Sequence, residues 1–322
     1  MIPEGYKASN EEEAIAIANY NNNQNQISWI MASYIIFVHI LGLASLSTIQ
    51  QCKTETLMGA FALYILGGFG ITAGAHRLYS HQSYQAAWPY RWFIMILGSI
   101  ANQGTILHWA RDHRTHHKYS ETRADPHCAL RGFFFAHVGW LLVKKDPRVI
   151  FAGRNIPTDD LKALPELRFQ SMLDPWFSLG CCFVFPMLAS HYLWNETLYN
   201  GFMVMGVAKY ICTLHGTWCV NSLAHLYGSH PYDEHSNPAE SPFASAVALG
   251  EGWHNYHHAF PSDYSTSEFG ASYQFNPTRI LIDTAAAIGL VWDRKSASRL
   301  CEMRLKNKET KIIGPPLFRR RI

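Results

Sequence analysis

Long apolar stretches alternate with polar, histidine-containing segments along this chain of 322 residues. Crossing the hydrocarbon core of a bilayer takes about 20 apolar residues in a helix, and four stretches approach that length. Short polar turns join them in pairs, and soluble bundles, the alternative, seldom contain helices that are so apolar over such lengths. The pattern predicts an all-α membrane protein with two transmembrane hairpins, whose spans cover about residues 27–48, 57–75, 176–194 and 198–223.

The remaining segments are polar, apart from two shorter apolar stretches. Residues 93–107 and 132–143 are too short to span, so we expect them to lie at the membrane interface or to cover a site. The first 26 residues lack the features of a secretory signal and predict a flexible tail. The predicted segments are a tail 1–26, a hairpin 27–75, a histidine-rich segment 76–175, a hairpin 176–223, a histidine-rich segment 224–295 and a basic tail 296–322.

The predicted hairpins place all the histidine-rich segments on one side of the membrane. Two spans separate residues 76–117 from residues 254–258, and an even number of spans returns the chain to the same face. Basic residues are favoured on the cytosolic side. The end of the chain is basic, so we expect both termini and the histidines to be cytosolic; its cations include Lys306, Lys308, Lys311 and Arg319-Arg320-Arg321.

Two histidine triplets carry the candidate chemistry. Positions i, i+3 and i+4 share one helix face, so the imidazoles of each triplet can reach one small volume. A single histidine is usually a core or surface residue, but two triplets of this spacing are hard to assign to packing. They are His113, His116 and His117 in the first triplet and His254, His257 and His258 in the second.

Two further pairs of residues extend this set. Asn221 and His225 lie four apart at what the pattern predicts is a helix end. His76 and His81 are five apart, about 140° around a regular helix, so either the helix ends between them or they serve different ions. Nine imidazoles and one amide exceed the needs of one ion of coordination four to six, and they predict a dinuclear site.

Other classes of chemistry lack their motifs here. The sequence contains no glycine-rich dinucleotide fingerprint, no P-loop and no nucleophile elbow, so we expect no bound flavin or nicotinamide and no nucleic-acid partner. Electrons for redox chemistry would have to come from a partner. The seven cysteines form no spacing framework and predict reduced thiols. Imidazole ligands suit iron, copper, zinc or nickel, so the residues alone predict a membrane-bound dinuclear metalloprotein.

Four sequence blocks resemble the animal acyl-CoA desaturases of the stearoyl-CoA desaturase family, including its insect members. The blocks are His76-Arg77-Leu78-Tyr79-Ser80-His81, Arg111 to His127, Asn221-Ser222-Leu223-Ala224-His225 and Gly250 to His258, and the resemblance covers roughly residues 55–295. It implies four membrane helices under a cytosolic helical cap. It also implies a pair of iron ions held by the nine histidines named above, with Asn221 acting through a water molecule.

The resemblance also implies a reaction and its partners. The family inserts a double bond into a saturated long-chain fatty acyl-CoA with O2 and two electrons from cytochrome b5. An NADH-dependent reductase in turn reduces cytochrome b5. It implies the endoplasmic reticulum membrane, and a double bond at carbon 9 or at carbon 11 as in insect pheromone glands. A membrane lipid hydroxylase is the alternative, because it uses a similar histidine-rich centre with different spacing.

Substrate contacts follow from the same resemblance. Four residues match contacts for the coenzyme A head group: Arg111, Asp112, Lys144 and Lys145. Six match residues that line or close the acyl tunnel: Gln103, Trp109, Thr217, Trp218, Tyr64 and Gly68. The chain departs from the usual family residues at Gly104, His108 and Cys128, which leaves the metal ligands unaffected.

Overall fold

The computed structural model describes residues 2–23 and 26–297, and this part of the chain is mostly helical. Two short strands pair antiparallel, β1 (Gln85–Ala86) and β2 (Val291–Trp292). The α-helices are α1 (Glu11–Asn22), α2 (Trp29–Ile49), α3 (Thr54–Phe69), α4 (Trp88–Ala101), α5 (Ile106–Tyr119), α6 (Trp140–Leu142), α7 (Pro147–Arg154), α8 (Asp159–Lys162), α9 (Pro165–Leu173), α10 (Trp176–Leu179), α11 (Phe185–Trp194), α12 (Leu198–Asn200), α13 (Lys209–Leu226), α14 (Pro242–Val247), α15 (His254–Ala259) and α16 (Pro277–Ala287). A 3₁₀ turn covers Ala129–Arg131, and π-helical segments cover Gly70–Ser80, Phe135–Gly139, Gly180–Val184 and Gly201–Ala208.

Three helices of the described residues are long and apolar enough to cross a membrane. They are Trp29–Ile49, Thr54–Ser80 and Trp176–Trp194, in which α-helical and π-helical segments join without a break. The prediction of a membrane protein is therefore supported, but the count of four spans is not confirmed. The fourth predicted span is also continuous helix, from Leu198 to Leu226, yet it carries Lys209 and His215 and is not among the three.

The two hairpin connections lie together at one end of the helices. The backbone N–H of Lys53 donates to Glu196 at 2.9 Å, and the ammonium of Lys53 donates to the carbonyl of Trp194 at 2.7 Å. Thr56 and Asn200 also donate to the buried Glu196 carboxylate, which thereby ties both hairpins together. Because the helices run side by side from these contacts around Glu196, the histidines at their other ends lie in a common region.

Part of the segment predicted as a flexible tail forms the helix α1. Asn10 caps α1 by accepting from the N–H of Glu13 at 3.0 Å, and three glutamates in its first turn favour the positive end of the helix dipole. Tyr6 is buried against Tyr119 and Phe151, which holds the segment on the cap. The low hydrophobicity of this segment gave no indication of the contact, because one buried aromatic residue and one helix cap are enough to hold the segment in place. Most of the predicted basic tail lies outside the described residues.

The π-helical segment Gly70–Ser80 is buried along its whole length and brings the first histidines to the core. It packs closely on α4, because a Cβ at Gly70 would lie 2.0 Å from the backbone N of Gly98. Arg114 on α5 holds its end by donating to the carbonyls of Tyr79 at 2.7 Å and Ser80 at 2.9 Å. A cation at the negative end of a helix is electrostatically favourable, so this contact fixes the first histidine block against the second.

Candidate metal centre

All nine predicted histidines converge in two adjacent groups. Within each group the nitrogen atoms that could bind an ion lie within 4.8 Å of one another. The larger group, called here the five-imidazole group, contains His76, His81, His113, His117 and His257. The smaller, called here the four-imidazole group, contains His116, His225, His254 and His258.

The spacing of the nitrogens fits metal ions better than hydrogen bonds. In the five-imidazole group, the Nε2 of His257 lies 3.0 Å from that of His76 and 2.9 Å from that of His117. In the other, the Nε2 of His254 lies 3.0 Å from that of His225 and 3.1 Å from that of His258. One ring nitrogen offers a single proton or lone pair in the ring plane, so it cannot satisfy two such neighbours. Two ligands about 2.1 Å from an ion, at a right angle, lie about 3.0 Å apart.

Each triplet divides between the groups, and the division is reciprocal. His113 and His117 join the five-imidazole group while His116 joins the other; His254 and His258 join the four-imidazole group while His257 crosses to the five. At about 100° per residue, positions i and i+4 differ by about 40°, whereas i+3 points about 60° to the other side. One helix turn therefore supplies both groups, and the rings of His117 and His258 stack at 4.3 Å between them.

His76 and His81 both belong to the five-imidazole group, which excludes separate ions for the two residues in this geometry. The helix ends at Ser80, and the N–H of His81 donates to the carbonyl of His76 at 3.1 Å, an i to i+5 contact. The wide turn of a π-helix places residues five apart on the same face, which a regular helix does not.

Carboxylates contact the outer nitrogens of three of these imidazoles. The Nδ1 of His116 lies 2.9 Å from Asp125, and the Nδ1 of His225 lies 2.8 Å from Glu121. The Nδ1 of His76 lies 2.9 Å from Glu251, which also pairs with the buried Arg77 at 3.0 Å. Such partners fix ring orientation and raise ligand basicity. The sequence contained them in the histidine blocks, but nothing in their spacing distinguished them from ordinary charges.

Burial keeps most of the imidazoles neutral, as metal ligands must be. Burial, with a smaller contribution from neighbouring imidazoles, holds the pKa of six histidines well below the ordinary value; these are His81, His113, His117, His254, His257 and His258. His116 differs, because burial lowers its pKa but the Asp125 carboxylate outweighs burial and raises it. The Nε2 of His116 is buried without a hydrogen-bond partner, as expected of an atom that faces an ion.

A cavity beside both groups brings several predicted tunnel residues to the site. Its lining includes Asn221, Trp109 and Thr217 together with imidazoles from each group. The Gln103 amide bridges the two tunnel residues, donating to Thr217 at 2.8 Å and accepting from the Trp109 indole at 3.4 Å. Trp109 also stacks on His113, with ring centroids 4.9 Å apart. An apolar chain in this cavity would therefore contact residues that also pack against His113.

The other predicted tunnel residues do not line this cavity. Trp218 is buried among three more imidazoles, and its ring is parallel to that of His39 at 6.1 Å. The Tyr64 hydroxyl donates to the carbonyl of Val247. A Cβ at Gly68 would lie 2.6 Å from a methyl carbon of Leu249, so the small residue leaves room for that side chain.

The predicted head-group residues separate into two environments. Asp112 pairs with Arg111 at 2.9 Å and with Lys145 and His108 on either side. Burial opposes ionisation of this carboxyl, but His108 and Lys145 outweigh it and hold the pKa of Asp112 well below its usual range. Lys144 instead donates to Gln26 at 2.9 Å at the exposed start of the first predicted hairpin.

The three departures from the family pattern have local consequences. Gly104 has φ of +84°, a conformation that favours glycine. His108 supplies a partner for Asp112, as described above. The thiol of Cys128 lies 3.8 Å from Glu121, and burial raises its pKa to about 12, so it stays protonated as a weak donor.

The fold and the converging imidazoles define a mostly helical protein with three candidate membrane helices and two histidine groups that could each hold a metal ion. Residues 55–269 match the family model described as fatty acid desaturase, and the chain belongs to that family. It is 51% identical over 261 residues to the Delta(9)-fatty-acid desaturase fat-6 of Caenorhabditis elegans, which covers 81% of this chain and 76% of the relative. It is also 46% identical to stearoyl-CoA desaturase 5 of Bos taurus, over 86% and 82% of the two chains, and 45% identical to stearoyl-CoA desaturase 5 of Homo sapiens, over 86% and 83%.

Proposed function

We propose that this chain is an acyl-CoA desaturase that inserts a double bond into a saturated long-chain fatty acyl-CoA, at carbon 9 or carbon 11. The observation that carries the proposal is the convergence of nine imidazoles in groups of five and four, in a chain whose relatives are named desaturases. We propose iron for both groups. The relatives favour this activity over the hydroxylase alternative.

The overall reaction sets the tasks of the protein. A saturated chain, O2, two electrons and two protons give an alkene and two molecules of water. The two iron ions, when bound, supply the activation of O2 that lets hydrogen be removed from unactivated methylene groups. The residues of the chain must hold both groups of ligands, exclude water and place one pair of methylenes beside the ions.

Positioning must come from shape and polar contacts. Burial of an acyl chain gains about 0.8 kcal/mol per methylene, but every methylene is alike, so burial alone does not choose the carbon. The Gln103 bridge between Trp109 and Thr217 lies beside the five-imidazole group, and we propose that it fixes the chain there. We propose that Trp218, Tyr64 and Gly68 lie farther along the same path, and that Asn221 acts on the four-imidazole group through a water molecule.

The head group would bind at the charged surface beside the second histidine block. We propose Arg111, Asp112 and Lys145 as its main contacts, because these charges already form one network next to the metal ligand His113. Lys144 would contribute a longer-range attraction. We further propose four membrane spans with the site on the cytosolic face of the endoplasmic reticulum, and cytochrome b5 as the electron donor.

Charge reversal tests the head-group assignment. Lys145→Glu should raise the KM for acyl-CoA about tenfold at low ionic strength and much less in high salt, because salt screens exposed charges. Lys144→Glu is the matched comparison and should have the smaller effect. KM values that do not depend on salt would remove both residues from the head-group site.

The function itself is tested with the protein in membranes, a saturated acyl-CoA, O2 and a reducing system containing cytochrome b5. We expect a product two mass units lighter than the substrate, formed only with O2 and reductant. A product sixteen units heavier would indicate a hydroxylase. Metal binding without turnover would indicate a metal store, and turnover without reductant would indicate a hydrolase; either result would refute the proposal.

A further inference from the structure

Lys209 is a buried cation in the fourth predicted span and lies about 16 Å along the helix from its start at Leu198. Its ammonium donates to the carbonyl of Ile100 at 2.9 Å, to the carbonyl of Cys182 at 3.3 Å and to the Cys182 sulfur at 3.2 Å. All three acceptors are neutral. Charges at membrane depth are costly and usually mark a functional position, so this lysine requires an explanation.

The main contact of Lys209 is the end of α4. Ile100 is in the last turn of this helix, where carbonyls lack helical partners and the helix dipole is negative. A cation there satisfies a carbonyl and complements the dipole. Lys209 therefore caps the end of α4, although it lies more than 100 residues away in the sequence.

The turn that follows α4 carries Gln103. Asn102 and Gly104 on either side have φ of +50° and +84°, so the backbone reverses abruptly around the glutamine. Few residues adopt such angles without strain, and the turn depends on a fixed helix end. Gln103 in turn contacts Thr217 and Trp109 at the cavity, and Trp109 stacks on His113.

We propose that Lys209 is a positioning residue that fixes the turn of Gln103 and thereby the register of the acyl chain at the metal centre. This inference rests on the proposed desaturase function. Lys209 touches neither the cavity nor a ligand; it acts through the end of α4. A purely structural role would affect stability, whereas a positioning role would also change which carbons react.

The experiment uses the full chain in membranes and measures the positions of the double bonds in the product. Mass spectrometry of the dimethyl disulfide adducts of the alkenes locates these positions. Lys209→Met should lower the ratio of the main alkene to its positional neighbours about tenfold. It should change kcat more than KM, because the head-group surface is unaffected. Lys209→Arg keeps a donor and a charge and should restore much of the selectivity. Lys209→Gln provides a milder change if the methionine variant does not accumulate.

A matched control is Glu196→Gln, because Glu196 is an equally buried charged residue that ties helices at the end away from the cavity. It should lower thermal stability without altering double-bond positions. Gln103→Leu should itself broaden the distribution of double-bond positions. Adding Lys209→Met to it should produce little further change, because Lys209 acts on the substrate through Gln103.

The outcomes separate the two proposals. If the wild-type protein forms no alkene, the proposed function fails. If it forms alkene and both Lys209→Met and Lys209→Gln retain the wild-type positions, the positioning role is refuted while the function stands. The same conclusion follows if Glu196→Gln scatters the products as much as Lys209→Met does.

Discussion

The two imidazole groups share ligands of one type but differ in number and surroundings. Among the described residues, the five-imidazole group has a single carboxylate on an outer nitrogen, Glu251, whose charge is shared with Arg77. The four-imidazole group has two, Asp125 and Glu121, and it has one imidazole fewer. The same ring chemistry is thus placed in two electrostatic environments.

This difference indicates that two bound ions would not be equivalent. Carboxylates on the outer nitrogens increase the electron donation of the imidazoles and attract a cation. The two carboxylates of the four-imidazole group offset its smaller number of imidazoles, and the cavity that Asn221 lines reaches His116 and His254 of this group. The affinity of the five-imidazole group for an ion would depend mainly on its larger number of imidazoles.

Removing one ring from the five-imidazole group should have the largest effect. We expect His117→Ala to reduce product formation by more than the roughly 100-fold that loss of an outer partner can cause, because the ring itself binds the ion. Metal content should fall from two ions per chain toward one, as measured by mass spectrometry of the purified protein. His258→Ala makes the same change in the other group.

An exposed histidine controls for the substitution itself. The side chain of His235 is exposed and pairs with the neighbouring Glu234, so His235→Ala should leave both metal content and turnover unchanged. Full turnover by His117→Ala with two ions per chain would remove this residue from the ligand set. Loss of both ions from both variants would show that the groups bind cooperatively rather than independently.

Removing a carboxylate partner should have the next largest effect. Asp125→Asn should weaken metal binding 10- to 100-fold, mainly in the four-imidazole group, because Asp125 orients His116. Glu251→Gln is the corresponding change beside His76. Competition with a chelator measures both affinities. Asp283→Asn alters a carboxylate that pairs with Arg294 and accepts from Tyr264, and it should not change metal affinity; equal losses for all three variants would contradict the assignment.

The sequence predicted the set of histidines but not their division. Spacing of three and four residues places a triplet on one face, which is correct, yet the 40° and 60° offsets within that face separate His116 from its neighbours. The pairing of His76 with His81 depends on a π-helical turn, which requires i to i+5 hydrogen bonds that periodicity does not reveal.

Long-range polar contacts were beyond the reach of the sequence for a related reason. Lys209 meets Ile100 across 109 residues, and Arg77 meets Glu251 across 174, so no local pattern connects either pair. The apolar pattern did predict the three candidate membrane helices, Trp29–Ile49, Thr54–Ser80 and Trp176–Trp194, because a hydrophobic stretch is a local property. It gave no indication of α1 within the predicted tail, where a cap and one buried tyrosine support the helix.

The smallest effect should be on the pH dependence of the free energy of unfolding of the metal-depleted protein. Histidines of the five-imidazole group keep a pKa well below 6.5 in the folded state, whereas unfolded histidines titrate near 6.5. Below pH 6.5 the unfolded state therefore binds more protons, and the free energy of unfolding should fall as pH falls. His116 opposes this trend, because Asp125 raises its pKa and the folded state keeps its proton. Asp125→Asn should remove that offset and steepen the loss by about 1.4 kcal/mol per pH unit between pH 6.5 and 5.5. Thermal unfolding of both proteins across this range measures the slopes, and equal slopes would show that the two groups do not differ in their electrostatics.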